Sequence, residues 1–289
     1  MELWFIFTVI GYMLFAVSGI LDKVMMNKQY HPVTTVLLRT LFNATFLGSA
    51  GLLFLNLTFS ISLMLLAAIP ALLLVVSFVI YLRVLQRKNA SEIQPFSQSL
   101  DVLFIFLASI ILLHEQAIIA NYAGILVIVI GIYLVLSQHI TKIPHLDRNL
   151  LIIVALVPID VAYALLIKAF LGTAEPISLA VSIYLMAFLM LTIVSLFMRR
   201  QFQPIKTYFK LQLRIVLVAS LCAAIGAGLT YTALSQANAS KVYPMAGVGS
   251  VMVFLLATMF LKEKFHWHRF IGTLIVVFGI YLISLEAAV

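Results

Sequence analysis

The chain has 289 residues, 64% of them hydrophobic and only 10% charged. A soluble domain cannot hide that much apolar surface, so the lipid bilayer must be the solvent for most of it. The net charge of +8 comes from lysines and arginines scattered through short connections, the pattern of juxtamembrane anchors and not of a nucleic-acid surface.

A helix needs about 20 residues to cross the hydrocarbon core, and ten such spans can be placed along the chain. The first, near 3–21, begins at Met1-Glu2-Leu3-Trp4 with no basic n-region and no small-residue cleavage site, so it reads as a retained helix and not a signal peptide. It sets Trp4, Tyr12 and Phe15 at spacings that can share a face. The second, 34–55, carries Arg39 one to two turns inside, and the third covers 63–83. The fourth, 92–113, holds Gln98 and, about halfway along, Asp101. The fifth, 118–138, has Gly124 and Gly131 on one face. The sixth, 150–170, holds Asp160 near its middle, then Tyr163 and Lys168. The seventh, 177–198, is followed by the longest polar connection, Arg199 to Arg214. The eighth, 213–235, contains Cys222 and Tyr231; the ninth, 241–261, has Tyr243 in its opening turn; the tenth, 268–285, repeats the paired glycines as Gly272 and Gly279. A single cysteine allows no intramolecular disulfide and argues against thiol metal or redox chemistry.

Half of the chain is written twice. Asn-Ala-Ser-Glu-Ile-Gln-Pro at 89–95 returns as Asn-Ala-Ser-Lys-Val-Tyr-Pro at 238–244. Each copy leads into an apolar helix that ends in a Leu-x-Glu turn, Leu113-His114-Glu115 and Leu261-Lys262-Glu263. A second helix with the Gly124/Gly131 or Gly272/Gly279 pair follows. Pro95 and Pro244 fall in opening turns, with Ser91 and Ser240 as expected N-caps. The glycine pairs permit close helix approach, and joining the two halves internally is the expected use. Five spans per half is an odd number, so the copies must run in opposite directions through the membrane. Fifteen of the 18 lysines and arginines fall in connections 1–2, 3–4, 5–6, 7–8 and 9–10 or at the span ends that border them. The positive-inside rule puts that side in the cytoplasm and both termini outside.

At this repeat the chain resembles the EamA-type branch of the drug/metabolite transporter superfamily. The resemblance covers essentially the whole length: ten spans, two five-helix halves, Ala-x-x-x-x-Pro entering the fourth helix of each half, and a Gly-Glu-like turn. Here that turn is His114-Glu115 and Lys262-Glu263, without the usual glycine. Arg39 matches a basic residue that members often carry in the second helix, and its repeat counterpart falls near Tyr184. Members commonly have cytoplasmic termini, which conflicts with the charge count. Small multidrug resistance transporters, distant four-helix relatives, carry a membrane carboxylate eight residues before a lysine in their first helix. Asp160 and Lys168 have that spacing, whereas the first half reads Phe15 to Lys23, keeping the lysine without the acid. The resemblance implies that Asp160 is the proton- and substrate-coupling carboxylate.

An ionised aspartate at the bilayer centre costs roughly 2.5–3.5 kcal/mol even on the lenient insertion scale. Two of them call for an interior cavity or partners. A carboxyl that holds either a proton or a cationic group is the minimal device for proton-coupled antiport. The plainer alternative locks each aspartate to a serine, a carbonyl or a lysine of a neighbouring helix. Arg39 has three open roles: a substrate carboxylate site, a snorkelling anchor, or a partner for Asp101. Arginine and aspartate facing one cavity would suit a zwitterion; aspartate without accessible arginine would suit an amine. Lys23 reads as an interfacial anchor and Lys168, two turns from Asp160, as anchor or site. Gln98 needs a polar partner within its span. Tyr163, Tyr12, Phe15 and Trp4 are candidate aromatic walls, with plain packing the competing role. Tyr231 and Tyr243 flank the eighth-to-ninth connection and are placed in the same vestibule. The six histidines fall in loops or at span ends with no metal-ligand spacing.

The chain has no Walker A, His-Glu-x-x-His or Gly-x-Ser-x-Gly pattern. A protease reading would need Asp101 and Asp160 to share a proton. The expected fold is an all-α integral membrane protein of ten transmembrane helices, as two inverted five-helix repeats at 1–140 and 141–289. The expected function is secondary active transport, proton-coupled, of a small amphipathic metabolite such as an amino acid. The alternatives are an exporter of organic cations by proton antiport, a pH-independent facilitator, a receptor or a lipid flippase. No cofactor or metal is expected. The partners are the small-molecule substrate, protons and the lipid bilayer of the plasma (inner) membrane, without nucleic acid, in a monomer or weak homodimer.

Overall fold

The computed structural model describes residues 3–54, 57–113, 118–136, 147–197 and 213–284. These form ten helices: α1 (Leu3–Asn27), α2 (Pro32–Phe54), α3 (Ile61–Leu85), α4 (Ala90–Leu113), α5 (Ile119–Leu136), α6 (Arg148–Phe170), α7 (Pro176–Phe197), α8 (Leu213–Gln236), α9 (Ala239–Phe260) and α10 (Trp267–Ser284). Eight are long and apolar enough to cross a membrane; α5 and α10 are apolar but shorter. All ten lie within a few residues of the predicted spans. The largest difference is α1, which runs to Asn27 and so takes Asp22 and Lys23 into the helix. Large apolar side chains such as Leu65, Ile119 and Phe197 remain on the outside, as expected where lipid and not water is the neighbour.

The packing partners come in repeat-related sets. Helices α2 and α7 pack together, as do α4 and α9, and α5 and α10. The remaining major contacts exchange into one another when the halves are swapped: α1 on α8 with α6 on α3, α1 on α9 with α6 on α4, and α2 on α8 with α7 on α3. Each half therefore completes its core against the other. One pair is unequal, for α1 lies along α8 far more extensively than α6 lies along α3.

The α5–α10 contact is the closest. A Cβ on Gly131 would lie 2.9 Å from the Gly272 carbonyl, and one on Gly279 would lie 2.8 Å from the Gly124 carbonyl. Only glycine admits backbones that near, so the paired glycines join the halves within one chain.

The predicted caps are corrected. Ser91 is not the N-cap of α4: the carboxylate of Glu263, just past α9, accepts from Ala90 N (2.9 Å), Ser91 N (3.1 Å) and Ser91 Oγ (2.5 Å). A carboxylate satisfies the orphan donors of a helix start better than a hydroxyl does, because it meets the helix dipole with a full charge. Ser240 is no cap either, for Asn238 holds the cap position of α9 without a side-chain bond. Pro244 sits in a 3-10 turn, Tyr243–Met245, that interrupts α9, because proline cannot donate to the preceding turn. Lys262 turns the chain with φ of 55°, the left-handed conformation that favours glycine. The corresponding His114-Glu115 turn lies outside the described residues.

Lys23 is no snorkelling anchor. It is 5% exposed, and its ammonium donates to Leu85 O (2.8 Å) and Lys88 O (2.6 Å) at the end of α3. Lys168 does the same in the other half, donating to Leu234 O (2.7 Å) and Ala237 O (2.8 Å) at the end of α8. The acceptors stand at equivalent places before the repeated Asn-Ala-Ser. Both lysines thus fill the unpaired carbonyls of a helix C-terminus, and each ties the first helix of its half to the junction of the third and fourth.

Candidate functional site

Interrupted and polar segments converge near the middle of the bundle. Pro158 lies inside α6 and has no N–H for the carbonyl four residues earlier, loosening the helix two residues before Asp160. Opposite it, Pro95 lies inside α4, six residues before Asp101. Between these helices and α1, α2, α3, α7 and α8 is a cavity of about 380 Å³. Asp101 and Gln98 from α4, Asp160 and Tyr163 from α6, Phe15 from α1 and Arg39 from α2 all line it. These are six of the eleven predicted site residues, gathered from both halves.

The other five are placed elsewhere, and each has a physical reason. Lys168 is held by the α8 carbonyls, as described above. Tyr12 is buried against Phe15, with ring centroids 6.1 Å apart, and packs into an apolar cluster with Val102, Phe106 and Ile128. Trp4 stands edge-on to Phe5 at 6.0 Å, with the Lys241 ammonium 5.9 Å from its ring, near the outer end of α1. The hydroxyl of Tyr231 bonds that of Tyr163 at 2.7 Å, behind the cavity wall. Tyr243 donates to the Ala164 carbonyl at 3.2 Å. A buried phenol finds a partner where it can, and these three tyrosines find theirs in one another and in the α6 backbone, just beyond the cavity.

Arg39 is 2% exposed and Asp22 4%. One guanidinium nitrogen bonds Asp22 Oδ1 at 2.5 Å and the other bonds Ser18 Oγ at 2.6 Å; Ser18 in turn donates to the Ala219 carbonyl at 3.1 Å. The guanidinium carbon stands 5.8 Å from the ring centre of Phe78. So the ionic partner of Arg39 is not Asp101. It is Asp22, one residue past the predicted end of the first span and not among the predicted site residues. Asn43, Ser77, Tyr81, Gln94, Ser97 and Tyr184 also line the cavity and were missed. Their common signal is a polar side chain within a span, which needs a partner in hydrocarbon.

Asp101 and Asp160 keep separate neighbours. Ser97 donates to Asp101 Oδ2 at 3.4 Å, while Asp101 Oδ1 is buried without a partner. Ser77 lies beside Asp160 in the cavity lining. The two carboxylates feel each other's charge, but no hydrogen bond joins them among the described residues. They are therefore not the proton-sharing dyad that an aspartyl protease needs. Gln98 accepts from Ser250 of α9, which fixes its amide across the halves.

At one end of the bundle the halves are tied by charge. Lys88 pairs with Asp147 at 2.8 Å, Arg269 pairs with Glu92 at 3.3 Å, and Glu263 caps α4. Asp147 also accepts from Leu150 N at 3.0 Å as the N-cap of α6. Beside this network a recess of about 470 Å³, lined by His31, Arg83 and Arg87 among others, opens at the surface without including either carboxylate of the central cavity.

A family model described as the EamA-like transporter family matches this chain twice, over residues 2–137 and 149–285. No curated protein matches it. Matches do exist among solved structures, 28 chains in all. One crystal structure superposes with a TM-score of 0.68 over 96% of this chain and 95% of its own, at 16% sequence identity. At that identity the likeness shows the fold alone.

Proposed function

The chain belongs to the EamA-like transporter family and is a multi-pass membrane transporter; on that premise we propose that it moves a small amphipathic, amine-bearing molecule in exchange for protons. One observation carries this reading. The mid-membrane cavity is lined by Asp101 from one half and Asp160 from the other, and the only cation lining it among the described residues, Arg39, is already paired with Asp22. A charged carboxylate in such a place needs a proton or a cationic group, and either serves equally well. That competition couples the two flows. An amino acid or an organic amine supplies the cation; the occupied guanidinium favours the amine end of that range over recognition of a carboxylate.

Alternating access follows from the packing. The exchange of contact partners between halves, and the capping of α4 by the residue just past α9, support two repeats of opposite direction. The two repeat-related contacts α1–α8 and α3–α6 are unequal in extent, as expected of one closed and one open arrangement. The transport step exchanges them. The lysine- and arginine-rich end with Lys88 and Arg269 faces the cytoplasm.

Detergent-purified protein in weak buffer tests the reading. Adding organic amines, then amino acids, releases protons from the wild type and none from Asp160→Asn. Amine binding accompanied by equal proton release from Asp160→Asn would remove Asp160 from the coupling role. Binding with no release in either protein would make the chain a facilitator.

A further inference from the structure

We propose that the preferred cargo of the central cavity is a short aliphatic diamine, held as a dication between Asp101 and Asp160 and exchanged for two protons; this rests on the transport reading above. The charge balance sets the requirement. Four ionisable groups of opposite kinds line the cavity: Asp22, Arg39, Asp101 and Asp160. Asp22 and Arg39 cancel each other at 2.5 Å, with Ser18 taking the second guanidinium nitrogen. The other nearby ammonium groups do not serve, for Lys23 and Lys168 are bound to helix-end carbonyls. Two carboxylates remain.

Their arrangement favours two separate cationic groups over one. Ser97 donates to Asp101 and Ser77 lies beside Asp160, and among the described residues no hydrogen bond joins the two carboxyls, so a proton held between them is not what the geometry provides. A monocation at Asp160 would leave Asp101 with Oδ1 buried and unpartnered. A second ammonium on the same molecule fills that position. The space suits a short chain: about 380 Å³ is at the small end of ligand pockets, which run from ~300 to 1,000 Å³. The rings of Phe15, Phe78, Tyr163 and Tyr184 line it and offer apolar cover and cation–π faces to methylenes beside ammonium groups. The remaining titratable groups of the lining are the phenols of Tyr81, Tyr163 and Tyr184; Tyr81 turns its hydroxyl towards Gln94 Oε1 at 3.5 Å and Tyr163 bonds the Tyr231 hydroxyl. A diamine also bridges α4 to α6, one helix from each half, which a monoamine on one carboxylate does not.

The proton balance is simple. In the cargo-free form each carboxyl carries a proton; as the two ammonium groups arrive both O–H bonds break and two protons leave to water. The diamine keeps its own protons throughout, so the exchange is electroneutral at two protons per molecule.

The experiment uses full-length protein and 1,4-diaminobutane, 1-aminobutane and leucine as probes. In weak buffer, protons released per molecule bound are counted; in proteoliposomes with an imposed pH gradient, movement of each labelled probe is followed. The expected result is two protons per diamine against one per monoamine, with the diamine binding at least tenfold tighter. In Asp101→Asn that tenfold preference collapses and the diamine releases one proton. One proton per diamine in the wild type, or no preference over 1-aminobutane, overturns the diamine assignment while leaving amine–proton exchange standing. Leucine moving in preference to both amines overturns it as well. Failure of a pH gradient to move any amine overturns the transport reading itself. The wild-type stoichiometry decides the matter even if Asp101→Asn does not fold.

Discussion

At the scale of single residues, the molecule uses its buried charges in two ways. Arg39 with Asp22, and Lys23 and Lys168 with helix-end carbonyls, are closed arrangements in which every charge has its partner. Asp101 and Asp160 are open. The difference predicts opposite outcomes on mutation. Breaking a buried ion pair by removing one partner leaves an uncompensated charge and costs ~3–5 kcal/mol, whereas removing both is far milder. Asp22→Asn is therefore expected to lower the melting temperature in detergent sharply, and Asp22→Asn with Arg39→Gln to recover most of it. A double variant no more stable than Asp22→Asn would show that the two side chains are not coupled. Asp160→Asn, by contrast, replaces a protonated carboxyl that has no ionic partner and is expected to hold the melting temperature while abolishing the proton release that follows monoamine binding. Arg39 was legible in the sequence as an intramembrane cation with three possible roles. Nothing in the spacing pointed to Asp22, because helix ends in a lipid-facing chain carry no amphipathic signal and α1 runs six residues past the predicted end.

At the scale of elements, helix ends and helix crossings carry the organisation. The repeated Asn-Ala-Ser marks the turn between third and fourth helices, and the lysine of the first helix holds that turn in each half. Outside the spans, burial nudges the Asp147 carboxyl upward, but the Lys88 ammonium and the Leu150 N–H outweigh it and hold it below the usual carboxylate range. A carboxylate so depressed contributes its stability above its unfolded pKa and loses it as pH falls through the depressed value. Asp147→Asn is thus expected to lower the melting temperature slightly at neutral pH, with the difference from the wild type vanishing in acid. A difference that persists unchanged in acid would assign the effect to something other than this charge. The α5–α10 crossing gives a stronger test. Gly131→Leu puts a side chain where a Cβ alone would already lie 2.6 Å from Val276 Cγ2 and 2.8 Å from its backbone nitrogen. Overpacking of this kind costs at least 1–3 kcal/mol, so the variant is expected to unfold several degrees lower. Ile130, next to Gly131 in sequence but exposed on the outer face, serves as the control when changed to leucine.

At the scale of the whole molecule, the two halves are one folding unit, because every major contact crosses between them. Membership of the family leaves the orientation open, and the charge count opposes the arrangement that family resemblance implies. We expect reporters fused after Val289 to report an extracytoplasmic C-terminus, with the connection between α7 and α8 in the cytoplasm. A cytoplasmic reporter signal at the C-terminus would reverse the side on which the Lys88–Asp147 network lies, and with it the direction in which the described state is open.

Read alone, the sequence determined the class of solvent, the ten helices, the duplication and the two mid-span aspartates. Each rests on composition or spacing along one dimension: apolar length sets a span, a repeated motif sets a duplication, and an acid halfway along a span is conspicuous wherever it points. What only the tertiary structure decided is which side chains meet. Tyr12, Trp4, Tyr231, Tyr243 and Lys168 were as plausible for the cavity as Tyr163 and Phe15. A helix that is apolar on all sides gives no periodic mark of which face turns inward. The pairing of Arg39 with Asp22, the cap that Glu263 lends to α4 and the facing of Asp101 by Asp160 each join residues that are distant in the chain. They follow from how helices of different halves cross, and that is set by the fit of whole helix surfaces.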